Sequence, residues 1–324
     1  MEMNSQNERE ILHQLIQEDD FCVVCHEAPD GDALGSLLAL TGLLCQMGKR
    51  AVAVCADPVP YVYEVLPDVD IIQHPNSLPA RHLITVDCAD QERVACPDEW
   101  LKQADWIINI DHHGSNQGFG TYNWIDAGSA ATGELIYLLG KQLNIAFTPQ
   151  IAQNLLAAIS TDTGHFSQIN TTARSFAIAA ELVKEGAQVA QLCNDIYKRK
   201  RLSKTRLIGR GLNQMQVFCQ GQAALITLSK QDFLDCGAME SETEGIIDYA
   251  RDIDTVRVAA LLRDTEQGTV KVSLRSQGDI DVSQVAMKAG GGGHRGAAGF
   301  TLHMPLEEAV AYLKDALEET IACS

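Results

Sequence analysis

The tetrapeptide Asp111-His112-His113-Gly114 follows directly on an apolar run, Trp106-Ile107-Ile108-Asn109-Ile110. A carboxylate and two imidazoles at a strand end suit a first-row divalent ion. Taken alone, the triplet reads equally well as a turn carrying surface polar groups. Three further segments alter the balance. The run Phe21 to Cys25 ends in His26-Glu27-Ala28-Pro29-Asp30-Gly31-Asp32, the run His82 to Val86 ends in Asp87, and Ala158-Ile159-Ser160-Thr161-Asp162-Thr163-Gly164 closes a helical pattern with another acid. Each residue has a purely structural alternative: Asp32 as a helix N-cap, Asp87 in an Asx turn, His26 as a core imidazole, Asp162 in a helix C-terminal turn. Chance placement of ligand chemistry in all four segments is the weaker explanation. Six or seven oxygen and nitrogen donors exceed what one tetrahedral zinc needs. They suit two octahedral-leaning ions held ~3.5–4 Å apart and sharing a carboxylate, which lowers the pKa of a bridging water and clamps phosphoryl oxygens during in-line attack. Pro29 and Gly31 force a tight turn around Asp30, so Asp30 and Asp32 can face different ions. The chemistry so indicated is phosphoester hydrolysis.

These donors converge only if the strands carrying them run parallel, with their carboxyl ends along one edge where ligands bind. The periodicity expects that arrangement. After a polar helix from Glu8 to Gln17, strands at Phe21 to Cys25, Ala51 to Cys55, His82 to Val86 and Trp106 to Ile110 accompany helices at Ala33 to Met47, Ala131 to Gln142, Pro149 to Ile159, Thr172 to Glu185 and Val189 to Tyr197. Continuous apolar strands among helices imply an α/β domain, a parallel sheet with helices on both faces. From Ile196 to Leu212 the composition turns basic, with Lys198, Arg199, Lys200, Arg201, Lys204, Arg206 and Arg210 in one short segment. It reads as a solvated linker helix and as a positive wall for a phosphate backbone. Beyond it come shorter elements: strands at Met215 to Cys219, Ala223 to Leu228, Val256 to Arg263 and Thr269 to Arg275, and helices at Thr243 to Ala250 and Leu306 to Ile321. The expected organisation is a catalytic domain over 1–195, a linker helix over 196–212 and a smaller mixed-sheet α/β domain over 213–324.

The 324 residues are enough for two domains, and 46% hydrophobic with 21% charged residues is ordinary globular composition. No apolar stretch approaches a membrane span, and Met1-Glu2-Met3-Asn4-Ser5 lacks the pattern of a signal peptide, so a cytoplasmic protein with no membrane partner is expected. Ten cysteines are scattered, mostly within apolar segments, as core thiols in a reducing compartment would be. Cys22-Val23-Val24-Cys25-His26 matches the haem-attachment pattern formally, but both cysteines fall in an expected strand and no haem is expected. A net charge of −18 disfavours a general electrostatic grip on nucleic acid. Positive charge at an anionic substrate must therefore be local: metal ions and a few arginines.

His26-x-x-Pro29-Asp30-Gly31-Asp32-Ala33, the lone Asp87, Asp111-His112-His113 and Asp162-Thr163-Gly164 resemble, in order, the successive motifs of the DHH phosphoesterase superfamily. The resemblance covers about the first 190 residues and is specific because four motifs occur in sequence. It implies two manganese ions, with magnesium or cobalt as alternatives. His26, Asp30 and Asp87 would hold one ion; Asp32, Asp87, His112 and Asp162 the other, with Asp87 as bridge. His113 would face the substrate phosphate as donor or acid, and Asp111 would orient the neighbouring imidazole.

Further on, Gly290-Gly291-Gly292-Gly293-His294-Arg295-Gly296-Ala297-Ala298-Gly299 resembles the glycine-rich signature of the DHHA1 domain, and Val272-Ser273-Leu274-Arg275-Ser276 the strand before it. Consecutive glycines let backbone N–H groups approach an anion, with Arg275 and His294 as directed donors beside Gly292 and Gly293. The pairing of the two domains resembles the nanoRNase and pAp-phosphatase group. That implies release of nucleoside monophosphates from very short RNA oligonucleotides and removal of the 3′-phosphate from adenosine 3′,5′-bisphosphate, a small phosphorylated nucleotide. The resemblance leans toward a homodimer. Domain closure about 196–212 would complete the site. The alternatives are a phosphodiesterase for cyclic or linear dinucleotides, a polyphosphate-directed hydrolase, and a nucleotide-binding sensor without catalysis.

Overall fold

The computed structural model describes residues 6–75, 81–265 and 268–322. The chain start, read above as lacking a leader pattern, lies outside the described residues. The chain divides into two units, Met1–Arg199 and Lys200–Ser324.

The first unit holds α1 (Gln6–Gln17), β1 (Phe21–Val24), α2 (Gly31–Gln46), β2 (Ala51–Val54), β3 (His82–Val86), α3 (Asp98–Gln103), β4 (Trp106–Asp111), β5 (Tyr122–Ile125), α4 (Thr132–Gln142), α5 (Pro149–Asp162), α6 (Ala173–Lys184) and α7 (Val189–Leu192). Among the described residues its five strands are all parallel, in the order β2-β1-β3-β4-β5. β1, β3 and β4 are buried almost throughout, which is why they read as unbroken apolar runs. α2 is buried nearly all round, with Leu34, Leu37, Leu40, Leu43 and Leu44 at 0% exposure. The chain passes from β1 outward to β2 and then returns to the other side of β1 to lay down β3. Such a reversal opens a crevice beyond the carboxyl ends of the two strands.

Three expectations are corrected here. α5 continues past Ile159 through Asp162, so that acid lies in its last turn. Tyr122–Ile125 is a fifth strand, unmarked in the sequence because it is short and mostly half-buried. The segment 196–212 is not one helix: a π-helical turn over Cys193–Lys198 ends at Arg199, and α8 (Leu202–Asn213) starts after the extended Arg201. Lys198, Arg199, Lys200 and Arg201 are consecutive, and like charges in one helical turn repel. Part of the basic run is committed within the second unit: Arg210 pairs with Asp232 at 3.2 Å and Asp235 at 3.1 Å, and Lys204 is buried.

The second unit continues with β6 (Gln216–Phe218), β7 (Ala223–Leu228), α9 (Lys230–Cys236), α10 (Asp248–Arg251), β8 (Val258–Asp264), β9 (Val270–Ser276), α11 (Val282–Lys288), β10 (Gly292–His294), β11 (Ala297–Leu302) and α12 (Leu306–Ala322). Its mixed sheet runs β10-β11-β9-β8-β7-β6, with β7 and β8 the only parallel pair among the described residues. Alternate residues feed two cores. Ala224, Ile226, Leu228, Ala259 and Leu261 join α8 and α9 on one face, and Leu225, Ala260 and Leu262 join α11 and α12 on the other. The helix expected over 243–250 is reduced to α10 and a preceding 3-10 turn, because Gly245 adopts φ +78 between them.

Candidate metal centre

The sequence-derived donors of the first unit gather at the crevice between β1 and β3. His26 follows β1, Asp87 follows β3, and Asp111 ends β4 with His112 and His113 after it. Asp30 is the N-cap of α2: its Oδ1 accepts from the N–H groups of Asp32 and Ala33, each at 3.0 Å. The cap is thus Asp30 rather than Asp32, which lies in the first turn and is fully buried. Asp162 reaches the same place because α2 and α5 pack at backbone distance. A Cβ on Gly31 would stand 2.4 Å from Thr161 Cγ2, and one on Gly35 2.4 Å from the Asn154 carbonyl oxygen.

Around Asp87 the donors form two groups. Asp87 Oδ2 lies 3.6 Å from His26 Nε2, which is 3.8 Å from Asp30 Oδ1. Asp87 Oδ1 lies 3.6 Å from His112 Nε2, which is 3.6 Å from Asp162 Oδ2 and 3.7 Å from Asp32 Oδ2. These separations are too long for hydrogen bonds. Donors ~2.1 Å from a shared ion at angles of ~90–120° stand ~3.0–3.6 Å apart, so the spacing fits a cation between them. Asp87 itself turns at φ +60, a left-handed conformation that Asp tolerates better than most residues.

Each imidazole has its second nitrogen fixed. His26 Nδ1 donates to the Glu27 carbonyl at 2.7 Å, and His112 Nδ1 to that of Ser129 at 3.4 Å, aiming both Nε2 atoms inward. His113 differs. Its Nδ1 is 2.7 Å from Asp111 Oδ1 and 3.6 Å from Asp87 Oδ1, so the nitrogen nearest the acids is occupied by Asp111 and Nε2 is left over. Asp111 is completely buried and its other oxygen accepts from Asn116 Nδ2 at 2.7 Å.

Several functional neighbours escaped sequence reasoning. α4 begins after Ala131, which has no side chain to cap it, and the buried Asp32 does so from α2, accepting from Thr132 N at 2.7 Å and Gly133 N at 2.9 Å. Thr132 Oγ1 also donates to Asp87 Oδ1 at 3.0 Å, and Ser36 Oγ to Asp32 Oδ1 at 3.1 Å. An apolar residue at a helix start was the available signal that a distant acceptor is needed.

The electrostatics of the cluster favour added positive charge. Burial lifts the Asp32 carboxyl well above its usual range, and Asp87 and Asp162 lift it further. Burial raises Asp162 to about 6, against the pull of His112 and with the push of Asp87. His26 rises to about 10: burial opposes protonation, but Asp30 and Asp87 outweigh it. The hydrogen bond to Asp111 raises His113, against burial; Asp111 is lowered, burial opposing and His113 prevailing. Among the described residues, every ion pair of Asp30, Asp32, Asp87 and Asp162 is with an imidazole. Cations bound among these ligands would invert the pattern there, giving ionised Asp32 and Asp162 and a neutral His26, while Asp111 goes on holding the proton of His113.

In the second unit, Arg275 lies on β9, half-buried, opposite Ala297 of β11. Two of the four consecutive glycines, Gly292 and Gly293, lie with His294 in the edge strand β10, pairing with Gly299, Ala298 and Ala297. A Cβ on Gly291 would meet the Gly299 carbonyl at 2.3 Å, and Gly293 adopts φ +140. Gly292 has open space there and an ordinary φ, so packing does not require glycine at that position.

The model of the DHH family N-terminal domain matches residues 20–159, and that of the DHHA1 domain residues 232–322. A bifunctional oligoribonuclease and PAP phosphatase of Thermus thermophilus is 35% identical over 307 residues, covering 94% of this chain and 91% of its own. An exopolyphosphatase-related protein of Bacteroides fragilis superposes with a TM-score of 0.91 at 24% identity, over 98% of each chain. The exonuclease RecJ bound to manganese does so with a TM-score of 0.56 at 15% identity, over 99% of this chain and 95% of its own. The last two likenesses concern the fold. The chain belongs to the DHH phosphoesterase family, its DHH domain followed by a DHHA1 domain.

Proposed function

We propose that this enzyme hydrolyses phosphoester bonds in very short oligoribonucleotides, releasing nucleoside monophosphates, and removes the 3′-phosphate of adenosine 3′,5′-bisphosphate. The observation that carries the reading is Asp87, whose two oxygens face two separate groups of donors, His26 with Asp30 and His112 with Asp32 and Asp162. The substrate class rests on the Thermus relative, which the chain matches over nearly its full length.

Manganese is the proposed metal, as bound by RecJ, with magnesium or cobalt as substitutes. When bound, two ions supply an activated water and neutralise the charge developing on the phosphoryl oxygens. His26, Asp30 and Asp87 hold one; Asp32, Asp87, His112 and Asp162 hold the other. A third possible cluster, Asp87 with His112 and His113, lies within the same 4.8 Å reach, but the engagement of His113 Nδ1 by Asp111 takes His113 out of the ligand set. Asp111 keeps His113 protonated, and His113 Nε2 then delivers a proton to the leaving oxygen. Arg275, His294 and the backbone of Gly292 and Gly293 bind the substrate's distal phosphate.

The test is turnover by the manganese-loaded protein of a diribonucleotide, adenosine 3′,5′-bisphosphate and cyclic di-AMP, with product analysis. Hydrolysis of the first two, its loss in Asp87→Ala, and a raised KM with little change in kcat in Arg275→Ala are expected. Preference for cyclic di-AMP would move the assignment to a cyclic-dinucleotide phosphodiesterase. Nucleotide binding without turnover would make the chain a sensor.

A further inference from the structure

Glu134, in the first turn of α4, is 0% exposed. A buried carboxylate needs partners, and it has two: Arg174 Nε at 2.8 Å and Ser175 Oγ at 2.6 Å, both from the start of α6. The same guanidinium sends Nη2 to the Gly128 carbonyl and to Ser129 Oγ, each at 2.8 Å, with Asp126 Oδ2 at 3.4 Å. Ser129 Oγ closes the ring on Asp126 Oδ2 at 2.8 Å. One planar fork therefore fastens the turn 126–129 to the beginnings of two helices.

The segment just beyond that fork touches one of the two donor groups far more than the other. The Ser129 carbonyl orients His112, and the N–H groups of Thr132 and Gly133 hold both oxygens of Asp32. The Ala130 carbonyl accepts from Asn170 Nδ2, which also donates to the Asp162 carbonyl at 3.1 Å and lies 3.3 Å from Asp162 Oδ2. Thus Asp32, His112 and Asp162 all lean on residues 129–133. The other group does so only through the shared Asp87, by way of Thr132. His26 is fixed by its neighbour's carbonyl, and Asp30 by the helix it caps.

We propose that Arg174 and Glu134 are positioning residues for one ion only, the one held by Asp32, Asp87, His112 and Asp162. The inference rests on the two-ion reading above. Loosening the fork frees the 126–133 segment and lets the orientation of those ligands drift, while His26 and Asp30 keep theirs. Partners that orient metal ligands set affinity over ~10–100-fold.

Manganese titration of the full chain, followed by calorimetry and by the electron paramagnetic resonance of free ion, tests this. Wild type should take up two equivalents. Arg174→Ala should retain one at wild-type affinity and bind the other ~10–100-fold more weakly. Arg174→Lys, which keeps the charge but not the fork, should fall between. Glu134→Gln, close to isosteric, provides an independent route should Arg174→Ala fail to fold. Hydrolysis by the variants at limiting manganese should drop and recover as manganese is raised. Two equivalents bound by both alanine and glutamine variants as in wild type would overturn the inference. So would equal weakening of both equivalents together with a lowered melting temperature of the metal-free protein, which marks a purely structural pair. A wild-type protein binding fewer than two ions would instead overturn the two-ion reading and the inference with it.

Discussion

Replacing Asp162 by asparagine should stabilise the protein without metal and weaken it with metal. In the absence of a cation, burial holds the Asp162 carboxyl at about 6 rather than its ordinary 3.8, with Asp87 adding to the rise. A group raised on folding contributes stability that is fully present below its unfolded value and is lost as pH climbs through its folded one. For Asp162 the loss falls between about pH 4 and pH 6. A shift of about two units at 1.36 kcal/mol each amounts to roughly 3 kcal/mol. The side chain is 27% exposed, so solvent screening trims that figure without removing it. Asparagine keeps the shape and can still accept from Asn170, but never carries the charge.

At pH 8 with chelator, Asp162→Asn should therefore melt above wild type. At about 2–4 °C per kcal/mol for a unit of this size, the gain is ~6–12 °C in the transition of the first unit. At pH 4 the two proteins should nearly coincide, since the wild-type carboxyl is then largely protonated. Manganese should reverse the order at pH 8. Ligand at ~100 times its dissociation constant adds about 2.7 kcal/mol to a protein with an intact site, and the variant has lost a donor. The assay is differential scanning calorimetry of both proteins across pH, with and without manganese. If the variant is no more stable than wild type at pH 8 in chelator, burial and Asp87 do not raise the Asp162 carboxyl, and no cation is needed to relieve it.

Two further substitutions separate chemistry from packing. Asp111→Asn leaves the proposed ion ligands in place but removes the negative partner of His113 Nδ1, so steady-state kinetics should show kcat lowered ~10²–10⁴-fold at unchanged manganese affinity; an unaltered kcat would remove His113 from proton transfer. Gly35→Ala places a methyl 2.4 Å from the Asn154 carbonyl, forcing α2 and α5 apart. Urea unfolding should register a loss of ~1–3 kcal/mol, with weaker manganese binding as Asp162 recedes from Asp32.

Much of the site was legible because its donors stand beside the strongest local signals in the chain. The run His82 to Val86 coincides with β3, and the acid after it is the residue on which both donor groups converge. Parallel strands with alternating helices then required the strand ends to share an edge. What stayed hidden depends on contacts distant in sequence. Thr132 and Gly133 meet Asp32 across about a hundred residues, and the Arg174 fork joins segments about forty apart. The strand β10 went unmarked because glycine has low strand propensity, while its pairing with β11 is a tertiary outcome. The basic segment misled in another way. Its composition was uniform, yet Arg210 pairs with two acids while Lys204 is buried, distinctions that depend on the acids α9 and the 3-10 turn present.

Asp32 shows why the proposed ligand residues differ as probes. Its carboxylate terminates α4 by satisfying two N–H groups that no local side chain caps, and it faces His112 at the same time. Substituting it removes a helix cap, worth about 1 kcal/mol, together with a proposed metal donor, so lost activity would not identify its cause. Asp162 ends a helix whose last-turn N–H groups are already bonded within the chain, and its carboxylate oxygens accept little besides Asn170. Charge at that position would therefore serve a bound ion far more than the fold. The same geometry explains the direction of the effect: burial of Asp32 and Asp162 beside Asp87 raises the energy of the metal-free protein, and a bound cation would relieve it. Affinity for the ion and instability in its absence are two consequences of one arrangement, which is why a single neutralising substitution at Asp162 must move them in opposite directions.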